Sequence, residues 1–298
     1  MLCYNIIKTM RNLTLIIMLL VPGLGNAEPL RVFVSVLPLK TFVEKIGGNH
    51  VAVHAMVRSG YSPHTYAPTP RQITALANTD LYISTGVAFE KAWVKRIRAA
   101  NPGMRMVEAD AGIDMRLIGN HGHFHGERSS GHQDVSGHDP HIWTSPPLAK
   151  QIVRNIRDEL SALDPANSPE YARNTDALVS ELDRLDQDLR DQFKNLANRK
   201  FMVFHPAWGY FADTYGLIQI PIEKEGKEPG ARALTLLIGQ AKREHVKVIF
   251  VQPQFDRKSA TQVARAINGR VVAIDPLSPD YENNLRKVAK LIVEANHL

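Results

Sequence analysis

Short runs dense in Val, Ile, Phe and Leu recur along the chain at Arg31 to Val36, Val51 to Val57, Leu81 to Ser84, Phe201 to Phe204, Val248 to Gln252 and Val271 to Ile274. Runs of this length and composition predict buried strands. Between them lie stretches with helical spacing, including Ala88 to Ala99, Pro147 to Leu163, Ala231 to Glu244 and Tyr281 to Ala295. Strand and helix therefore alternate on both sides of the middle, the pattern of parallel sheets with covering helices. The stretch Asn167 to Ala197 is different. It is polar and charged except for Leu178, Leu182, Leu185, Leu189, Phe193 and Leu196, whose three- and four-residue spacing marks one face of a single long helix. Ser168 and Pro169 supply its start.

The expected fold class is therefore α/β, with two lobes, each a mainly parallel sheet with flanking helices, joined by one long rigid central helix. The predicted boundaries are 28–163 for the first lobe, 164–198 for the linking helix and 199–298 for the second lobe. A continuous helix resists the wide hinge motion that a glycine-rich linker would permit.

The first 27 residues change the picture of where the chain works. Lys8 and Arg11 precede an apolar run from Leu13 to Val21, which loosens at Pro22 and Gly23 and ends at Gly25, Asn26 and Ala27. That is the layout of a cleavable signal peptide, and the run is too short for the ~20 residues of a membrane span. A periplasmic product starting at Glu28 is expected. The only cysteine, Cys3, would leave with the signal, which excludes disulfides, thiol catalysis and cysteine metal ligands. Loss of Lys8 and Arg11 would lower the net charge from +6 to +4. The remaining basic residues form no run, which argues against nucleic acid as a partner.

Candidate chemistry lies in two segments that nearly repeat each other, Ser62-Pro63-His64-Thr65-Tyr66 and Asp139-Pro140-His141-Ile142-Trp143. Proline restricts its own φ and the residue before it, so both histidines stand on stiffened turns. His205 follows the strand Phe201 to Phe204, and Asp275 follows the strand Val271 to Ile274, each just ahead of a proline. In parallel sheets the carboxyl ends of strands line the ligand crevice, so these residues can face one another. Any one of them alone reads more readily as a turn or capping residue; four at matching element ends point to a metal site. Asp280 is close enough in sequence to Asp275 to serve in its place, as is water.

Three imidazoles and one carboxylate match the ligand set of tetrahedral zinc, and a closed set of four leaves no position for substrate, which favours carriage over catalysis. A zinc-dependent hydrolase is the rival reading, because three histidines and a water form a known catalytic arrangement, yet no glutamate adjoins His64, His141 or His205 in sequence. A metal-linked surface adhesin is the third.

Six of the twelve histidines lie between Gly119 and His141. His121, His123, His125, His132 and His138 stand in a glycine- and serine-rich loop, 119–138, with no apolar periodicity, and are expected to add weak secondary metal sites. His50 and His54 carry zincin spacing without its glutamate, on a segment that alternates as a strand. Glu223, Glu225 and Glu228, beside Lys224 and Lys227, read as a solvated acidic loop near the cleft.

The segments Gly60 to Pro70, Asp139 to Pro146, Phe204 to Phe211 and Asp275 to Leu277 resemble the metal-binding positions of ABC-transporter solute-binding proteins of the zinc and manganese class. The resemblance spans essentially the whole mature chain. It implies two lobes bridged by a helix with one metal between them, held by His64, His141, His205 and Asp275. It also implies Zn(II) as the transported ligand, with Mn(II) or Cd(II) in competition, and as partners a membrane permease with a cytoplasmic ATPase. Histidine rather than carboxylate at position 205 points to zinc over manganese. The expected protein is a monomer and not an enzyme.

Overall fold

The computed structural model describes residues 28–117, 137–223 and 228–297. The expected signal peptide 1–27, His121, His123, His125, His132, Lys224, Glu225 and Lys227 lie outside the described residues.

Two four-stranded sheets are present, both entirely parallel. The first holds β1 (Leu30–Val34), β2 (Val51–Ala55), β3 (Leu81–Ser84) and β4 (Arg105–Glu108) in the order β2-β1-β3-β4. The second holds β5 (Lys200–Val203), β6 (Ile218–Pro221), β7 (Val248–Val251) and β8 (Arg270–Ala273) in the order β6-β5-β7-β8. The same order occurs twice, and in each sheet the winding reverses between the first and third strands. Such a switch point opens a crevice at the carboxyl ends of the strands.

Nine α-helices cover the described sheets: α1 (Leu37–Gly47), α2 (Pro70–Leu76), α3 (Ala88–Ala100), α4 (Pro146–Leu163), α5 (Ser168–Phe193), α6 (Gly209–Tyr215), α7 (Ala231–Arg243), α8 (Lys258–Ala266) and α9 (Tyr281–Ala295). The central α5 is 26 residues long. It begins on Ser168, the expected cap, so that the capping position falls one residue earlier at Asn167, and it ends before Leu196. Its buried face is Tyr171, Thr175, Leu178, Leu182, Leu185, Leu189 and Phe193, the predicted stripe extended by two turns at its start. Each large apolar side chain so buried contributes about 1.5–3 kcal/mol. That face packs against α4, α1 and α9, so one continuous apolar core runs from the first sheet through α5 into the second half of the chain. A smaller separate core lies between the outer face of the second sheet and α7 and α8.

The two halves are also joined by buried polar contacts. Trp143 Nε1 donates to Pro276 O (2.7 Å), the Tyr281 hydroxyl donates to Trp143 O (2.7 Å), and the Tyr210 hydroxyl donates to Asp139 O (3.0 Å). At the opposite edge Thr41 Oγ1 donates to Pro279 O, and Lys45 bridges Glu181 of α5 and Glu282 of α9. No helix among the described residues is long and apolar enough to cross a membrane.

Candidate metal centre

The second lobe supplies one candidate ligand from the switch point. Chain leaving β5 runs through Phe204 into His205, which is buried. Gln252, one residue past β7, grips its backbone from both sides: the side-chain amide donates to His205 O (2.7 Å) and the side-chain carbonyl accepts from His205 N (3.3 Å). The imidazole stacks on Phe255, with ring centroids 5.0 Å apart at 23°. His205 Nδ1 is hydrogen-bonded to Glu223 Oε1.

That contact corrects one expectation. Glu223 is not in a solvated loop; it is 4% exposed, two residues past β6, and faces the imidazole. The apolar chain of β6 and Ile222 buries it, whereas the sequence signal was dominated by the charged residues after it. Glu228, also placed in that loop, accepts a hydrogen bond from Ser259 Oγ.

The first lobe supplies two more. His141 is buried directly before a short 3-10 turn (Ile142–Thr144) that leads into α4. Asp139 Oδ1 accepts from His141 N (3.0 Å) and bonds to His141 Nδ1 (2.7 Å). Arg116 stands 3.5 Å from the other Asp139 oxygen and 3.2 Å from Asp213. This guanidinium lies over the first residue of α6, Gly209, where any Cβ would collide with it at 1.2 Å. His64 comes from the irregular chain between β2 and α2 and is only part-buried. Ser62 Oγ accepts from its backbone N–H at 3.2 Å.

These three rings meet. His64 Nε2 and His205 Nε2 are 3.0 Å apart, and His141 lies 5.3 Å from His205 and 6.4 Å from His64 between ring centroids. One nitrogen from each falls within 4.8 Å of the others, the only such metal-ligating cluster among the described residues. The cavity they border, with Gln254, Phe255 and Leu277, has a volume of about 10 Å³, the room of a single water or ion. A much larger cavity of about 1060 Å³ at the ends of β3 and β4 contains none of the three histidines.

Electrostatics favour neutral, ligand-ready imidazoles. Burial, reinforced by the neighbouring His205 and His141, pushes His64 down to about 3. Burial also lowers His205, against the opposing pull of Glu223. For Asp139, burial would raise the carboxyl, but His141 and Arg116 outweigh it and hold it below the usual carboxylate range. Each of the two Nδ1–carboxylate bonds assigns the proton to Nδ1, which turns the Nε2 lone pair toward the cluster.

The other candidates are not members of this three-histidine cluster. Asp275 follows β8 as expected, but its Oδ1 is occupied by Gln254 Nε2 (2.9 Å) and Leu277 N (3.0 Å). Asp280 caps α9 at an exposed position and bonds Asn283. Exposed His138 forms an isolated bridge with Leu117 on the wall of the large cavity. His50 bonds Glu170 at 3.2 Å, and His54 points to solvent from β2.

Residues 32–295 match the family of the periplasmic zinc-uptake complex component A, ZnuA, and the chain belongs to that family. It is 30% identical over 259 residues to the high-affinity zinc uptake system protein ZnuA of Bacillus subtilis (strain 168), an alignment covering 85% of this chain and 80% of that protein. A crystal structure of ZnuA superposes with a TM-score of 0.83 at 39% identity, covering 90% of this chain and 100% of that one. The fold extends to a manganese-bound periplasmic metal-binding protein from Candidatus Liberibacter asiaticus, with a TM-score of 0.77 at 23% identity over 90% of this chain and 99% of that one. The family is one of solute-binding components of zinc uptake, not of enzymes.

Proposed function

We propose that the chain captures Zn(II) in the periplasm between its lobes, on His64, His141 and His205, and delivers it to the permease of an ABC transporter driven by a cytoplasmic ATPase. The observation that carries this reading is the convergence of three imidazole nitrogens from both halves of the chain on a space the size of one ion. Nitrogen-rich sets suit zinc, whereas oxygen-rich sets suit manganese. The relative from Bacillus subtilis, described as a high-affinity zinc uptake protein, supports the same cargo. Mn(II) and Cd(II) are the expected competitors.

The fourth position goes to Asp275 if its carboxylate leaves Gln254, and to water otherwise. The carrier acts as a monomer, exported by the segment 1–27 and cleaved after Ala27. The loop 119–138 adds weak sites outside this centre.

The test is a titration of metal-stripped protein with zinc and manganese against a chelator of known affinity, joined to anomalous scattering from the zinc form. One tight zinc equivalent at the three imidazoles is expected. Zinc located only in the 119–138 loop, or only at His50 and His54, overturns the proposal.

A further inference from the structure

The two near-repeated turns differ in their first residue, and the difference reaches the imidazoles. In Asp139-Pro140-His141 a single carboxylate oxygen holds both the backbone N–H and the ring Nδ1 of the histidine. In Ser62-Pro63-His64 the backbone half of that arrangement is kept, with Ser62 Oγ accepting from His64 N at 3.2 Å. Among the described residues no carboxylate bonds the ring Nδ1. The serine side chain is shorter and uncharged, and the His64 ring bonds instead through Nε2 to His205. His205 resembles His141 in this respect, with Glu223 at its Nδ1, and its backbone is also gripped by Gln252. Two imidazoles thus have a buried carboxylate behind them and the third has a serine.

Burial follows the same division. His141 and His205 are each 5% exposed, whereas His64 is part-buried on a loop that turns at Gly60, whose φ is +81°. A carboxylate behind a ligating imidazole fixes its tautomer and orientation and strengthens it as a donor, and loss of such a partner changes metal affinity by 10- to 100-fold. An imidazole without one must be ordered by the metal itself and leaves more readily.

We propose that Ser62 is a positioning residue that makes His64 the yielding ligand, so that metal enters and leaves by displacement of His64 while His141 and His205 stay fixed. The inference rests on the assignment of the three histidines as the zinc site. It gives the carrier a built-in release step: a cargo held by three equally clamped ligands would be retained, whereas one unclamped ligand supplies the exit.

The experiment compares the native protein with Ser62→Asp and Ser62→Asn, measuring zinc association and zinc transfer to excess chelator by stopped flow. Ser62→Asp, which supplies the missing carboxylate, is expected to slow dissociation by roughly 10- to 100-fold with association within a few-fold of native. Ser62→Asn, uncharged, should slow it less. In the zinc form, the ¹⁵N resonance of His64 Nδ1 should move toward that of a carboxylate-bonded nitrogen in Ser62→Asp only, a signature that a general stiffening of the loop would not produce. The converse variant Asp139→Ser keeps a backbone acceptor but removes the clamp from His141; it should speed dissociation by a similar factor and keeps the idea testable if Ser62→Asp fails to fold. Unchanged dissociation in the folded variants, or a native His64 Nδ1 already bonded to a carboxylate, overturns the inference. His64→Ala with unaltered zinc affinity would instead overturn the ligand assignment.

Discussion

The two sheets have the same strand order, yet their switch points do different work. In the second lobe the crevice at the end of β5 holds His205, Gln252 and Glu223, so a buried carboxylate is paired with an imidazole and fixes its orientation toward the histidine cluster. In the first lobe the crevice between β1 and β3 also holds a buried carboxylate, Glu90, but its partners are the Ser35 hydroxyl, the Tyr82 hydroxyl at 3.4 Å and the Thr85 backbone N–H at 3.3 Å. No cation is among those partners. Burial pushes Glu90 up to about 7, against the restraint of these hydrogen bonds. Topology therefore decides where a carboxylate can be buried, and its neighbour decides whether it serves a ligand or remains a liability of the core. The first lobe sends its ligands from elsewhere, through two proline-stiffened turns.

The largest test of this difference is removal of the rings themselves. His141→Ala and His205→Ala should each weaken zinc by orders of magnitude, with His64→Ala close behind and Asp275→Ala least affected because water can take an oxygen position. Isothermal or chelator-competition titration reads the order directly. An Asp275→Ala loss as large as those of the histidines would show that the carboxylate enters the bound shell.

The next contrast is in pH. Between about 4.5 and 7 native Glu90 keeps a proton that the unfolded chain has released, so its contribution is full below pH 4.5 and is lost as pH rises toward 7. His64 acts in the opposite sense. Its folded value near 3 lies below its ordinary 6.5, so metal-free stability is lost as pH falls through that interval. Denaturant midpoints of the apo protein should show both limbs. Glu90→Gln should remove the loss on the neutral side, worth up to about 3 kcal/mol, and leave the acid limb in place. A neutral limb that persists in Glu90→Gln would assign it to another group.

A smaller effect is expected from Gly209→Ala. Its methyl would strike the Arg116 guanidinium and come within 2.9 Å of Asp139 Oδ2. Overpacking of this kind costs about 1–3 kcal/mol. Zinc affinity should fall with stability, because Arg116 and Asp139 stand behind His141. Unchanged affinity would mean that Asp139 holds its place without Arg116. The smallest effect belongs to His54→Ala, an exposed residue on edge strand β2, which should stay within ±0.5 kcal/mol and leave zinc binding untouched.

How far the sequence foretold this depends on where its apolar signal was clean. The interior strands β1, β3, β5 and β7 are mostly apolar and lie within two residues of their expected bounds. The edge strands β4 and β6 passed unread. Arg105 and Glu108 bracket only two apolar residues in β4, and Gln219 and Pro221 interrupt β6. Helix α1 was hidden by Pro38, a residue normally read as a turn but tolerated in a first helical turn. The three histidines were legible because proline and aromatic neighbours framed them. Glu223 was not, and for a traceable reason: the rule that placed His205 at a strand end applies equally to Glu223, but only once β6 is recognised. Asp275 obeyed the same rule and still found backbone and amide partners, because a strand end offers several directions and the sequence does not say which one a side chain takes.

Helix α9 closes against the beginning of the chain. Phe42 of α1 meets Tyr281 edge to face, with ring centroids 4.9 Å apart, and Lys45 pairs with Glu282. The amino-terminal lobe therefore lacks part of its own wall until the last residues have been made. During synthesis α1 must wait with an apolar face uncovered, and its cover closes only with a pairing nearly the full length of the chain apart, the kind of contact that slows folding. A chain cut short before Tyr281 would lose stability in the lobe furthest from the cut.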